Sequence, residues 1–429
     1  MLLDAQRWDH LARLILLLFI FSIPWEEMAV IPGVGTLTKI LGALGAFCVV
    51  IFLAVERRAH YHIFFIVAGA FVAWSAFSIG WSIHRDATVL RVVTYVQLLG
   101  MAFLIFQVAD KAFIKHAMVA FALGCWVLVL GTFHQFVLGI EAHHQRFSAP
   151  GTNPNTLAAA IALALPMAVL AMRDKSLSPW LFIGLLVFVP AGLITIILTG
   201  SRAGFVLMGL SLLALCGYLA SLSRRFRWRT LLFWAMATVV LISATPLETA
   251  QRGAGTLSEI QAFLFGDWGG ERAEAPKVDP VGRDLPHSSE MEDRDAGTLS
   301  SRTEIWSAGW QVFLDNCGVG VGAGAFASAV ENVIGQPQAP HNVYLGLSVE
   351  GGIPGLVLWF LIMMISLLAC RGAPEEARKY LALMLVMLFL MFLVGNSEWR
   401  KMTWLLLVLP VCFSRKKRFP LAFGLESKT

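Results

Sequence analysis

Residues 180–222 read WLFIGLLVFVPAGLITIILTGSRAGFVLMGLSLLALCGYLASL and hold a single charged side chain, Arg202. An apolar block of about 20 residues lies on each side of it, which is the length a helix needs to cross a hydrocarbon core about 30 Å thick. Almost no loop separates the two blocks. The stretch therefore predicts two membrane-spanning helices that meet at Arg202, with its guanidinium at the mouth of the bundle rather than out in solvent.

The same composition runs along most of the 429-residue chain. Hydrophobic residues make up 57% of it and charged residues 14%, whereas soluble domains carry about 25% charged residues. A transmembrane β-barrel would show short segments of alternating polarity instead. We therefore predict an all-α integral membrane protein with about 12 transmembrane helices. Apolar blocks bounded by charge lie near residues 11–25, 37–55, 62–81, 91–108, 114–138, 155–172, 180–199, 203–222, 230–247, 351–370, 379–396 and 401–414.

The positions of lysine and arginine predict how these helices are oriented. Cytoplasmic connections hold the excess of basic residues in membrane proteins. Counting on alternate sides of the predicted helices puts 20 of the 33 basic residues on the side that also holds both chain ends. That side is predicted to be cytoplasmic. The net charge of +5 then reflects topology and predicts no nucleic-acid partner.

One loop on the opposite, outer side is much longer than the others. It divides the chain into residues 1–247 with nine helices, a large loop over 248–350, and residues 351–429 with three helices and a basic tail. Its acidic middle, residues 267–295, has the composition of solvated chain, and we assign it no chemistry. Apolar residues at helical spacing in 257–265 and 303–314 predict helices on the membrane surface or against the bundle.

Three arginines on the outer side are candidates for binding an anion: Arg146, Arg202 and Arg302. The ordinary interpretation of each is a side chain that reaches lipid phosphates. One guanidinium group can also form two parallel hydrogen bonds to the oxygens of one phosphate, so a cluster of arginines would form a binding site for a pyrophosphate. Asn155 lies in a predicted helix start, Asn153-Pro154-Asn155-Thr156. There it serves as a cap, or the free backbone N–H groups of this helix start bind the same anion.

The stretch from Pro340 to Gly355 carries the candidate base. His341 is the side chain type best suited to accept a proton near neutral pH, and the alternative is an interfacial or metal-binding histidine. No other histidine shows metal-ligand spacing with it, so no metal is predicted. Glu350 precedes a Gly-Gly-x-Pro-Gly break, which predicts a short helix dipping in before the next span.

Further residues are supporting candidates at this end of the chain. Asn342 and Tyr344 follow His341 closely. Glu398, in the last outer loop, either orients His341, holds an arginine, or pairs with the adjacent Arg400. The alternating glycines over 318–324 predict a flexible turn that returns the chain to the membrane.

These residues resemble the O-antigen ligase and polymerase superfamily of bacterial envelope glycosyltransferases. The matching pieces are Gly200-Ser201-Arg202-Ala203-Gly204, Ser301-Arg302-x-x-Ile305-Trp306 and Pro340-His341-Asn342-x-x-Leu345 with Glu350-x-Gly352-x-Pro354-Gly355. The resemblance implies a GT-C-like membrane transferase without a cofactor, whose active site faces the periplasm of the bacterial inner membrane. It implies an undecaprenyl-pyrophosphate-linked glycan as donor and, in ligases, a sugar hydroxyl of the lipid A core as acceptor.

The resemblance also implies roles for single residues. His341 matches the base, and Arg202 and Arg302 match the residues that hold the pyrophosphate. Arg146 is carried over to the same pyrophosphate site, and Glu398 to a supporting position. Direct displacement by the acceptor predicts inversion at the anomeric carbon. Three alternatives remain: an O-antigen polymerase, a protein O-oligosaccharyltransferase, and, from another class, a lipid-linked sugar transporter, which would more often show an inverted repeat.

Overall fold

The computed structural model describes residues 2–33, 35–142, 146–243, 299–414 and 418–420. Over these residues the chain forms fourteen α-helices and only four very short strands, which confirms the all-α prediction. The helices are α1 (Leu2–Ser22), α2 (Leu37–Glu56), α3 (Ile63–Phe77), α4 (Arg85–Val108), α5 (Lys111–Val137), α6 (Pro154–Met172), α7 (Pro179–Leu198), α8 (Arg202–Ser221), α9 (Arg224–Ser243), α10 (Leu299–Asn316), α11 (Phe326–Ile334), α12 (Val343–Ala369), α13 (Glu375–Met391) and α14 (Lys401–Phe413).

The strands form two antiparallel pairs, in which β1 (Val30–Ile31) pairs with β2 (Gly35–Thr36), and β3 (Arg58–His60) pairs with β4 (Arg418–Pro420). Short 3-10 turns lie at Glu26–Met28, Ser78–Gly80 and Cys370–Gly372.

A helix forms at each of the twelve predicted spans. In the described part of the chain, eight helices are long and apolar enough to cross a membrane: α2 to α8, and α12 with the turn that follows it. The protein is therefore a multi-pass membrane protein. The figure of twelve spans and the cytoplasmic placement of both ends stay predictions, as does the division at residues 248 and 350. The segment 257–265 lies outside the described residues, whereas 303–314 falls within α10.

The alanine-rich helix α6 forms the centre of the first half of the bundle. It is buried over almost its whole length, because small side chains let α5, α7 and α8 pack closely around it. A Cβ added to Gly204 would stand 2.6 Å from Ala158 Cβ. This close approach fixes the start of α8 against α6, at the end of the bundle where α2, α4, α6, α8, α12 and α14 all begin.

Helix α12 is broken near its start, as the sequence predicts. Gly352 has φ 60° and ψ −163°, so a short helix from Val343 meets the long span at a kink. The kink exposes backbone groups, and the glycine run and the residue before it satisfy some of them. Gly322 N donates to the Glu350 carbonyl oxygen at 3.0 Å, and Ile353 N donates to the Cys317 carbonyl oxygen at 2.9 Å.

The glycine run forms a turn, as predicted, but it is closely packed rather than flexible. A Cβ on Gly320, which has φ +73°, would lie 2.5 Å from the Glu350 carbonyl oxygen. Trp81 Nε1 also donates to the Gly320 carbonyl oxygen at 3.1 Å. Glycine is required here because the run docks backbone against backbone on the kink.

Candidate active site

Arg146 lies in the connection between α5 and α6 and is held by two neighbours. Its Nε donates to the Thr199 carbonyl oxygen and its Nη2 donates to Asn155 Oδ1, each at 2.7 Å. Asn153 rather than Asn155 caps α6, which leaves the Asn155 side chain to orient the arginine. Gly200, with φ +56°, makes room, since its missing Cβ would stand 3.3 Å from Arg146 Cγ.

Arg202 is the first residue of α8. Ser201 caps this helix, because its Oγ accepts a hydrogen bond from Gly204 N at 3.1 Å. Arg202 is exposed, so the prediction that it avoids solvent is wrong. The tight turn at Gly200 places the helix start, and therefore this side chain, at the rim of the bundle.

Arg302 lies in the first turns of α10 and is half-buried. Its Nε is buried and has no hydrogen-bond partner in the described structure. One turn further on, Trp306 Nε1 donates to the Pro340 carbonyl oxygen at 2.9 Å. This bond ties α10 to the segment that carries His341.

Arg202 and Arg302 both act electrostatically on Arg146, and Arg202 acts on Arg302; we call the three residues the arginine cluster. Burial lowers the pKa of Arg146, and the positive charges of Arg202 and Arg302 lower it further. Burial and the charge of Arg202 likewise lower the pKa of Arg302. Neither Arg146 nor Arg302 forms an ion pair with a described carboxylate. Residues far apart in sequence thus converge in a patch of positive charge that a polyanion would balance.

His341 lies beside this cluster at the entry to α12. Burial lowers its pKa below the usual value for histidine, and the positive charge of Arg302 lowers it further. The imidazole is therefore mainly neutral near pH 7, which is the form that accepts a proton. Its backbone has φ 46°, a left-handed conformation that non-glycine residues rarely adopt and that is found more often at functional sites.

Residues 186–360 match the family model described as O-antigen ligase. These residues therefore belong to the O-antigen ligase family. Members of the family are glycosyltransferase-like ligases and polymerases, so the chain is an enzyme of that broad class. Comparison with curated proteins finds no match. Of the residues above, Arg202, Arg302 and His341 lie inside the matched segment, and Arg146 lies outside it.

Within the O-antigen ligase segment, the predicted supporting residues hold the entry to α12 in place. Asn342 Oδ1 accepts from Leu345 N at 3.1 Å and so caps the helix. Tyr344 points into the bundle, where its hydroxyl donates to the Phe389 carbonyl oxygen at 3.0 Å. Glu350 is buried at the kink, and its Oε1 accepts from Phe326 N at 3.4 Å. These contacts hold the segment that follows His341 against the rest of the bundle.

Glu398 lies outside the O-antigen ligase segment and pairs with a residue that the sequence analysis did not single out. Its Oε1 lies 2.5 Å from Nη1 of Arg91, at the start of α4. Of the three alternatives for Glu398, the structure shows the one in which it holds an arginine. The adjacent Arg400 instead pairs with Glu27 at 2.8 Å.

We call these contacts, with the pair Lys401–Glu26, the paired network. Trp399 lies between its arginines, with the Cζ atoms of Arg91 and Arg400 at 5.5 and 5.0 Å from its ring centroid. A charged residue at the beginning of the predicted span 91–108 was the only sequence signal for Arg91. Its partner lies more than 300 positions away, so no local pattern identifies the pair.

Proposed function

We propose that the protein is an O-antigen ligase that transfers a glycan from undecaprenyl pyrophosphate to a sugar hydroxyl of the lipid A core. The reaction takes place at the periplasmic face of the bacterial inner membrane, with both chain ends in the cytoplasm. The observation that carries the proposal is the arginine cluster beside His341, whose pKa is lowered by burial and by the charge of Arg302.

The arginine cluster supplies the donor site. Arg146 and Arg302 carry charge without a described carboxylate partner, and Arg302 Nε is buried without an acceptor. A guanidinium group forms two parallel, charge-assisted hydrogen bonds to a phosphate, so a pyrophosphate would satisfy these donors. Asn155 and the Thr199 carbonyl hold Arg146 in one orientation before the donor arrives.

His341 supplies the base. It takes the proton of the acceptor hydroxyl while that oxygen forms a bond to the anomeric carbon of the donor glycan. The bond from that carbon to the pyrophosphate oxygen breaks, and the electron pair leaves with undecaprenyl pyrophosphate. Fixed guanidinium groups stabilise the negative charge that develops on the leaving group. One displacement of this kind inverts the anomeric carbon, and it requires no metal.

The test is to supply different acceptors to the purified full-length protein in lipid nanodiscs, with one undecaprenyl-pyrophosphate glycan as donor. We expect the glycan on the lipid A core, detected as a mass increase of the acceptor. A lengthened glycan on undecaprenyl pyrophosphate would instead identify a polymerase. Glycosylation of a serine-containing peptide would identify a protein oligosaccharyltransferase.

A second arm of the experiment separates the transporter from every transferase. Protein is reconstituted into liposomes with fluorescent donor in one leaflet, and movement of the donor is followed without any acceptor. Movement of the donor, with no covalent product in the first arm, would contradict the ligase proposal.

A further inference from the structure

A cavity lies between α1, α2 and α4, apart from the candidate active site. Its volume is about 580 Å³, within the range of about 300–1,000 Å³ that small-molecule sites occupy. Apolar side chains form most of its wall, among them Leu16, Ala46 and Leu104. None of its lining residues belongs to the arginine cluster, and His341 does not reach it.

Charged residues line only one end of the cavity. They are Glu26, Glu27, Lys39, Arg400 and Lys401, all near the starts of α2 and α14. Arg400 and Lys401 are neutralised by Glu27 and Glu26. Lys39 is exposed and forms no ion pair with a described residue. This end therefore carries one positive charge in excess, which suits an anionic group.

The depth of the cavity matches one leaflet of a bilayer. Along α4 its lining runs from Thr94 to Leu104, which at 1.5 Å per residue is about 15 Å, or half of a hydrocarbon core about 30 Å thick. An acyl chain whose headgroup lies at the membrane surface reaches about that far. A long isoprenoid chain would extend beyond it.

We propose that this cavity binds one acyl chain of an anionic phospholipid, with the lipid phosphate at Lys39. Small residues on the α2 wall, Gly42, Ala43 and Ala46, leave the space for the chain. The headgroup would lie beside the Glu26–Met28 turn, which contacts the loop before α6, because a Cβ on Gly151 would stand 3.1 Å from the Glu27 carbonyl oxygen. This inference does not depend on the proposed reaction.

The test is native mass spectrometry of the full-length protein titrated with phosphatidylglycerol, phosphatidylcholine and undecaprenyl phosphate. We expect phosphatidylglycerol to bind roughly fivefold more tightly than phosphatidylcholine, the factor for one lysine near an anionic headgroup. Displacement of phosphatidylglycerol by an equal amount of undecaprenyl phosphate would show an isoprenoid occupant and overturn the proposal.

Two variants locate the lipid. Ala46→Phe fills the apolar wall and should weaken phosphatidylglycerol binding by about tenfold, as expected from a few lost methylene contacts. Leu44→Phe is the control, since Leu44 is exposed on the same helix. Unchanged binding by Ala46→Phe would overturn the proposal.

Lys39→Gln tests the headgroup contact and needs no change in the cavity wall. It should reduce the preference for phosphatidylglycerol to near parity, whereas Lys111→Gln, at the opposite end of the bundle, should retain it. A preference that survives Lys39→Gln would place the phosphate elsewhere and refute the assignment.

Discussion

The arginine cluster and the paired network lie at the same end of the bundle and differ in how their charges are balanced. Arg91 and Arg400 each contact a carboxylate, at 2.5 and 2.8 Å. The pKa values of Arg146 and Arg302 are instead lowered by burial and by neighbouring arginines, and neither has a described carboxylate partner. Burying a charge is costly unless it is paired. The comparison therefore predicts that the paired arginines stabilise the fold and that the arginines without a described carboxylate bind an anionic ligand.

The largest effect is expected at His341. His341→Asn removes the base, and general-base catalysis contributes about 10²–10⁴-fold in rate, so transfer should fall by that factor. Asparagine tolerates a positive φ better than most residues, so the fold should persist. Transfer to the lipid A core, measured by mass, is the readout. His84→Asn is the control, because His84 is exposed at the same end of the bundle. Equal transfer by wild type and His341→Asn would remove His341 from its role.

The next effect concerns stability and tests the comparison directly. Glu398→Gln leaves Arg91 without its carboxylate, and breaking a buried pair costs about 3–5 kcal/mol. Glu350 also acts on Arg91, so we expect the lower end, about 3 kcal/mol, measured by thermal unfolding in detergent. Adding Arg91→Gln should recover part of this loss.

Arg302→Gln is the matched variant from the arginine cluster. It removes a half-buried charge that has no described carboxylate partner and lies near Arg202, so unfolding should occur at the same or a higher temperature. If Arg302→Gln and Glu398→Gln destabilise the protein equally, the distinction between the two regions fails.

A smaller effect is expected when Arg302 becomes lysine. The charge is kept, but the paired geometry toward phosphate is lost. Charge-assisted hydrogen bonds contribute about 1.5–3 kcal/mol, so transfer should fall roughly 10–100-fold. Arg378→Lys, exposed at the opposite end, should retain full transfer. Wild-type turnover and donor binding by Arg302→Lys would indicate that the arginine only anchors the protein to lipid.

The smallest effect is a shift in pH dependence. The charge of Arg302 helps to lower the pKa of His341, so Arg302→Gln should raise it. The neutral base then forms only at higher pH, and the acidic limb of the transfer rate should move to higher pH. Arg302→Lys retains the charge and should leave the limb in place. An unmoved limb in Arg302→Gln would mean that His341 does not titrate in the reaction.

Much of this protein could be predicted from local sequence. The apolar blocks predict helices at all twelve positions, and the Gly-Gly-x-Pro-Gly break predicts the kink at Gly352. The three arginines and His341 were chosen for residue type and position, and the structure brings them together. The partner of Glu398 could not be predicted, because Arg91 lies in α4, more than 300 positions earlier in the chain. The packing of the 318–324 glycines could not be predicted either. Glycine occurs both in flexible turns and where two backbones touch, and the sequence alone does not distinguish the two cases.

By itself, the sequence determined that the chain lies in a membrane as helices, because a segment of about 20 apolar residues can satisfy its backbone in lipid only as a helix. It also determined which side chains are able to hold phosphate or accept a proton. Only the tertiary structure decided which charges are neutralised. Pairing depends on distances of a few ångströms between helices far apart in the chain, and those distances arise from packing.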